Sequence, residues 1–416
     1  MNLADRAADI LRRRTATLEA VRLRLRSNSF TTIKDDTIGM QAAILVGEYV
    51  RHYFAADVER YRTETDGVEL EVVSDVVNPK TGASSRTFFH ASKLDALALD
   101  RFNRESVIVE HKSTSEDLAA WSPYWRKLAI DSQVSKYLLS MRQNGRPEIR
   151  TVLYDVVQKP TTKPKRVVAK DVRASAESGN YFGFPIPAGE LVKLREAYED
   201  GKGKKGGFTG KFDESLTLYG LRLRRLVMED RASFFQRRTI VRSDEEMVDY
   251  ARELWQLAGE LREARKAEVA PRNTANCTQY GRLCEFFPLC TGELTADADR
   301  YELKSFVHSE LDGEAVRKRT KNGGRDCLTN SRLTMFQSCR QREKLRYDDG
   351  LRQAGESDSP ALQWGTLFHD LLETVWSSYV LDERETNGGL AQTAKQESSK
   401  TGGRDRDLFS GGGGQN

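Results

Sequence analysis

Val107-Ile108-Val109-Glu110-His111-Lys112, preceded at short range by Lys93-Leu94-Asp95, decides how this chain is read. The apolar, β-branched start of the run predicts a strand. Side chains alternate along a strand, so Glu110 and Lys112 point the same way and flank His111. A turn over Asp100 to Glu105 would fold two strands into a hairpin and bring Asp95 beside them. Two carboxylates and a lysine on one sheet edge suit a magnesium-dependent phosphodiesterase. The carboxylates hold the hard cation through oxygen, and the lysine sits near the attacking water or the developing phosphate charge. Taken alone, the spacing is common and also describes a solvated strand face.

Outward from this run, the sequence alternates helical and extended patterns. Residues 1 to about 34 read as a basic amphipathic helix, with Leu3, Ile10, Leu11, Leu18, Val21 and Leu25 near helical spacing. Gln41 to Phe54 predicts a second helix. Val68 to Val77 is a β-branched run stopped by the turn Asn78-Pro79-Lys80-Thr81-Gly82. Trp125 to Met141 has one apolar stripe and predicts a helix that carries Gln133 and Tyr137 on the same face, four residues apart. Thr151 to Val157 predicts a strand, and Glu246 to Lys266 a long amphipathic helix. Gly201 to Gly210 is a Gly/Lys loop without core potential. Residues 296–327 read as a linker, and the polar stretch 381–416 as a disordered tail.

With 416 residues the chain could hold two or three domains, and its net charge of +4 does not by itself argue for nucleic acid. Local basic runs, Arg12-Arg13-Arg14 and Lys163, Lys165 and Arg166, also read as ordinary solvated surface when judged singly. No apolar run is long enough to span a bilayer, and no signal-peptide core opens the chain, so a cytoplasmic protein without membrane contact is expected. Five cysteines in a chain of this length fit a reducing compartment. Three of them, Cys277, Cys284 and Cys290, are spaced C-x6-C-x5-C in a turn-rich segment and look like metal thiolates; buried or free thiols are the alternative.

Together, Lys-Leu-Asp95, Glu110-His-Lys112 followed by Ser-Thr-Ser-Glu-Asp, Gln133-x-x-x-Tyr137 and the cysteine triplet resemble the RecB-like branch of the PD-(D/E)XK nuclease superfamily. The nearest resemblance is to its iron–sulfur members: the AddB nuclease domain, the CRISPR-associated exonucleases, and phage or prophage proteins of similar design. This match covers roughly residues 41 to 295. The segment with which that family begins stands here at the other end: Ser331-Arg-Leu333, Cys339-Arg-Gln-Arg342, and Gly365-Thr366-Leu-Phe-His369. Either the domain is circularly permuted, or residues 328–379 begin a truncated second copy. Permutation is physically reasonable because chain ends within a domain often lie close together. Two positions depart from the family pattern, Arg340 where proline is frequent and His90-Ala91-Ser92 where a glycine is usual.

The resemblance implies an α/β fold of restriction-endonuclease type, a central mixed sheet flanked by helices with a cysteine-bound cluster. Its division of the chain is an N-terminal extension (1–40), a nuclease body (41–295), a linker (296–327), a displaced leading module (328–380) and the tail. It implies a metal-dependent deoxyribonuclease, an exonuclease on ends or single strands, that serves DNA processing, recombination or repair beside a helicase or recombination protein. Asp95, Glu110, the carbonyl of His111 and His369 would hold Mg2+ or Mn2+, and Lys112, Gln133 and Tyr137 would complete the catalytic set. Cys277, Cys284, Cys290 and Cys339 would hold a 4Fe-4S cluster, with Cys327 spare. His52 is the rival to His369 but lacks the Gly-Thr start. Two other classes stay open: a DNA-binding or assembly protein that kept the fold without turnover, and a zinc-ribbon protein that would leave the carboxylates unexplained.

Overall fold

The computed structural model describes residues 3–26, 36–201, 210–354 and 360–380, apart from residues 268, 280, 305, 309–310, 312–313, 315, 318 and 320–323. The lysines of the Gly/Lys loop at 202–209 and the tail 381–416 lie outside the described residues.

Strands β1 (Tyr61–Val77) and β2 (Ser84–Asp100) form a long antiparallel hairpin. Its turn is the expected one: the Asn78 side chain accepts from the Lys80 amide at 2.9 Å, and Gly82 takes φ +73°, a value glycine adopts without penalty. The second turn folds as read, with Asp100 Oδ1 accepting from the Phe102 amide at 3.0 Å, and β3 (Glu105–Thr114) returns antiparallel to β2. Strand β4 (Thr151–Gln158) lies parallel to β3, which requires a crossover, here made by helices α3 (Pro123–Lys127) and α4 (Ser132–Gln143). Strand β5 (Phe235–Val241) closes one edge antiparallel to β4. The sixth strand, β6 (Asp326–Leu328), pairs parallel with Phe88–His90 of β2. Because β3 pairs with β2 only from Ala96 onward, β6 and β3 leave Ala91 to Asp95 between them. The mixed sheet therefore splits at Asp95.

Helices cover both faces. On one side, α1 (Leu3–Arg26), α2 (Asp36–Arg60), α5 (Leu216–Glu229) and α8 (Pro360–Ser377) share a core in which Leu45, Tyr49, Phe54, Phe368, Leu371, Leu372, Val375 and Trp376 have no exposed surface. Each such side chain contributes about 1.5–3 kcal/mol by leaving water, so α8 is part of the main core. On the other side, α3, α4 and the turn between them pack Leu128, Val134, Tyr137 and Leu138 against Ile108, Val152, Tyr154 and Val156. Beside them, α6 (Asp244–Lys266) meets α7 (Asn330–Ser338) through Leu254, Leu261, Leu333 and Phe336. The segment between β4 and α5 has a core of its own around Val172, Tyr181, Leu194 and Leu218, and Lys163, Lys165 and Arg166 are exposed on it.

The helix read over Trp125 to Met141 is broken at Asp131. The Asp131 carboxylate accepts from the amides of Gln133 (2.7 Å) and Val134 (3.3 Å), so it caps a new helix instead of continuing the old one. The stretch read as a linker, 296–327, carries buried side chains where it is described: Leu311, Val316 and Cys327 pack against Phe89 and Ala91. No helix among the described residues is long and apolar enough to cross a membrane.

Candidate active site

Strand alternation sends Ile108, Glu110 and Lys112 to the α3/α4 face and Val109 and His111 to the α2/α8 face. Lys112 Nζ donates to Glu110 Oε1 in a short charge-assisted bond. Asp95, at the split in the sheet, accepts from the His111 backbone amide at 2.6 Å through Oδ2. That same oxygen lies 3.6 Å from His369 Nδ1, which α8 carries in from the far end of the chain. Gln133 Nε2 donates to the Tyr137 hydroxyl at 2.6 Å, and that hydroxyl stands beside Glu110. The structure thus brings together Asp95, Glu110, Lys112, Gln133, Tyr137 and His369. The His111 ring faces away from them, and only its backbone is on the site. His52 is exposed and stacks on Phe235 at 5.9 Å.

Glu110 is buried, whereas the side chains of Asp95, Lys112 and His369 keep 16, 29 and 33% of their surface, so the site opens to solvent on their side. Burial pushes the Glu110 carboxyl up to about 7, and the neighbouring Asp95 adds to the shift against the pull of Lys112. Asp95 is raised for the same reason, burial, with His111 and Lys112 opposing it. Burial draws Lys112 down, but Glu110 and Asp95 outweigh that and hold it above the ordinary lysine value. Burial, with Lys112 and His111 nearby, lowers His369 to about 4, so its ring is neutral at pH 7 and has a nitrogen lone pair to give.

Glu110 Oε2 is buried and has no hydrogen-bond partner. A carboxylate oxygen left in that state is costly, and a cation would satisfy it. The donors at hand, two carboxylates and a neutral imidazole, suit a hard divalent ion. Among the described residues no three His, Cys, Asp or Glu side chains already stand as a closed metal-holding group.

Three neighbours of the site were not anticipated. Tyr124 and Tyr154 line the lysine side, and Glu69 pairs with Lys93 at 2.8 Å near Asp95. Behind the sheet, a second buried network was also missed. Arg237 binds Asp57 (2.6 Å) and reaches Asp155 (3.1 Å), Tyr49 donates to Asp155, and His111 Nδ1 lies 3.5 Å from Asp155. Burial raises Asp155, but Arg237 and then His111 hold it down to about 2, so it stays charged. The signal was present: Asp155 is a lone charge in the apolar run Thr151–Val157.

Cys277, Cys284, Cys290 and Cys339 line one small cavity together with Arg272, Phe286, Phe287 and Arg342. The Asn273 amide points at Cys339 Sγ, 3.5 Å away, and Cys339 and Cys277 both raise Cys290 after burial has done so. Burial also pushes Cys284 up to about 11. The four thiols share one cavity, but among the described residues they do not stand as a closed metal-holding group, so the cysteine-bound cluster of the expected fold is not shown. Cys327 lies in β6 within a different core.

Comparison with protein families finds the PD-(D/E)XK nuclease superfamily over residues 328–408. That stretch is similar to a superfamily of nucleases that typically use a divalent metal and act on nucleic acid. It starts at the end of β6 and takes in α7, Cys339 and α8 with His369. It does not reach 41–295, where the sequence resemblance put the nuclease body and where Asp95, Glu110 and Lys112 stand, and it does not single out the RecB/AddB branch. No curated protein and no solved structure matches the chain.

Proposed function

We propose that this chain is a metal-dependent deoxyribonuclease of the RecB-like type, an exonuclease on DNA ends or single strands, whose leading module has moved to the end of the polypeptide. One observation carries the reading. The segment that resembles nucleases delivers His369 to Asp95, beside a buried Glu110 with an unpartnered oxygen and a lysine bonded to it. Glu48 and Asp155 also leave one buried carboxylate oxygen unbonded, but those pair with arginines, whereas Glu110 has a lysine and a second carboxylate, Asp95, for neighbours.

Asp95, Glu110, His369 and the His111 carbonyl would hold Mg2+ or Mn2+. Such an ion, when bound, makes its water a better nucleophile and draws charge from the phosphate. Lys112 stays protonated at pH 7, next to where the scissile phosphate would sit, and offsets charge that builds on its oxygens. The Tyr137 hydroxyl, held by Gln133, limits the rotamers of Glu110. The Tyr49–Asp155–Arg237 network fixes the back of β3 and hence the backbone from which His111 bonds Asp95. The four converging cysteines supply the right donors for a 4Fe-4S cluster, which would tie α7 to the 277–290 loop.

Incubating the purified chain with end-labelled single-stranded and duplex DNA and Mg2+ or Mn2+ tests the reading. Cleavage that disappears in Glu110→Ala supports it. No cleavage of either DNA with either metal would leave a DNA-binding or assembly role.

A further inference from the structure

Between the end of β3 and α3, the chain displays one large aromatic side chain to water. Trp121 is 86% exposed. An indole carries a large flat apolar face, and one held out in water leaves that face free for a flat ligand. The loop does not hold it out by being loose. Trp125 Nε1 donates to the Leu118 carbonyl at 3.0 Å, the Ser122 amide to the Ala119 carbonyl at 2.9 Å, and Arg238 to the Ala120 carbonyl at 2.8 Å. The residues on both sides of Trp121 are therefore pinned, and Leu118, Ser122, Tyr124 and Trp125 are buried around it. Phe102, the other strongly exposed aromatic among the described residues, differs on both counts. It sits at the opposite end of β3, and the Arg60 guanidinium covers it at 5.9 Å.

Trp121 is also close to the chemistry. It stands three residues before Tyr124, which faces Lys112, so its Cα is at most about 11 Å from that of Tyr124. Basic side chains stand on the same loop and its neighbours, together with the exposed acids Glu116 and Asp117. Arg126 is exposed and has no ion-pair partner among the described residues, Lys127 lies over the Tyr124 ring at 4.8 Å while pairing with Glu116, and Arg238 stacks on Trp125 at 4.2 Å. An exposed, rigidly mounted ring interleaved with basic side chains fits a polyanion whose monomers each carry a flat aromatic group.

We infer that Trp121 is a stacking platform for one unpaired nucleobase of the DNA strand, a few nucleotides from the scissile phosphate, and so sets the register in which the strand enters the site. A paired base inside a duplex is already stacked on both faces and cannot use the ring. The inference rests on the nuclease reading for its substrate, but it predicts binding and not chemistry.

The test is the affinity of the full chain for a fluorescein-labelled single-stranded oligonucleotide in EDTA, read by anisotropy, with an abasic site moved along the strand. Wild type should lose affinity at one abasic position. Trp121→Ala should bind the intact strand about tenfold or more weakly and show no such position, while Trp121→Phe keeps most of both. Equal affinity and an unchanged abasic profile in Trp121→Ala would overturn the inference, as would failure of wild type to bind the single strand. Wild type and Glu110→Ala, assayed in parallel for cleavage, separate the two ideas: no cleavage by wild type sinks the nuclease reading, and cleavage that survives Glu110→Ala sinks Glu110 as its catalytic carboxylate, while either outcome leaves the stacking result intact.

Discussion

His369 Nδ1 lies 3.6 Å from Asp95 Oδ2, although one residue comes from the last described helix and the other from the second strand of the sheet. Asp95 cannot be completed by its own neighbourhood, because the sheet is split there. If His369 is a metal ligand, His369→Ala should weaken Mn2+ binding at least about tenfold by titration calorimetry and slow cleavage with it. The ring is a third exposed, so the thermal midpoint should hardly move. Unchanged Mn2+ affinity would remove His369 from the site.

Glu110→Ala and Lys112→Ala address the chemistry directly. On the proposed mechanism each removes charge stabilisation worth several kcal/mol, so cleavage should fall about 100-fold or more while circular dichroism stays native. Wild-type rates in both variants would refute the assignment of this edge as catalytic.

The pH dependence of stability follows from two opposed shifts. Unfolded, Glu110 titrates near 4.5, and folded it titrates near 7. Between those values the native state binds more protons, so the contribution of Glu110 is present below about 4.5 and is lost as pH rises through about 7. His369 runs the other way: its folded value of about 4 lies below 6.5, so its contribution is lost as pH falls through that window. Glu110→Gln removes the first contribution and, because Glu110 raises His369, leaves His369 still below its free value. In EDTA, the thermal midpoint of Glu110→Gln should rise relative to wild type as pH goes from about 5 to about 8. Parallel curves would mean that Glu110 is not held protonated in the metal-free protein.

The end of the chain should be indispensable for folding. Phe368, Leu371, Leu372, Val375 and Trp376 are fully buried, and β6 pairs with β2. At about 1.5–3 kcal/mol each, losing those five side chains together is comparable with the whole 5–15 kcal/mol that stabilises a typical domain. A chain ending at residue 327 should be insoluble. Leu371→Ala should remain soluble and lose about 2–5 kcal/mol in urea unfolding. A soluble, fully active 1–327 fragment would make 328–379 a dispensable second copy.

If the four cysteines hold the proposed 4Fe-4S cluster, protein purified without oxygen should be brown and carry iron. Cys277→Ser, Cys284→Ser, Cys290→Ser and Cys339→Ser should each lose it, with Cys327→Ser unaffected. Undiminished iron in Cys339→Ser would place the fourth ligand elsewhere, and zinc in a colourless protein would replace the cluster.

The sequence by itself determined the local elements and much of the candidate site. Alternation along Val107–Lys112 put Glu110 and Lys112 on one face, the Asp100 turn returned β3 beside Asp95, and the four-residue spacing joined Gln133 to Tyr137. These are short-range consequences of backbone geometry, legible wherever period and turn chemistry agree. Asp131 was misread because an apolar stripe continues across it, while its capping bonds prevail locally. What only the tertiary structure decided is long-range. Nothing in the period of residues 360–377 states that this helix packs on β1 and β3 rather than standing alone, and it was the family resemblance, not the period, that put His369 with Asp95. The same holds for the buried set of Tyr49, Asp57, Asp155 and Arg237, drawn from a helix and two strands. Such contacts form because each charge, once desolvated by the closing core, needs its partner there, and that requirement exists only after distant segments have been brought together.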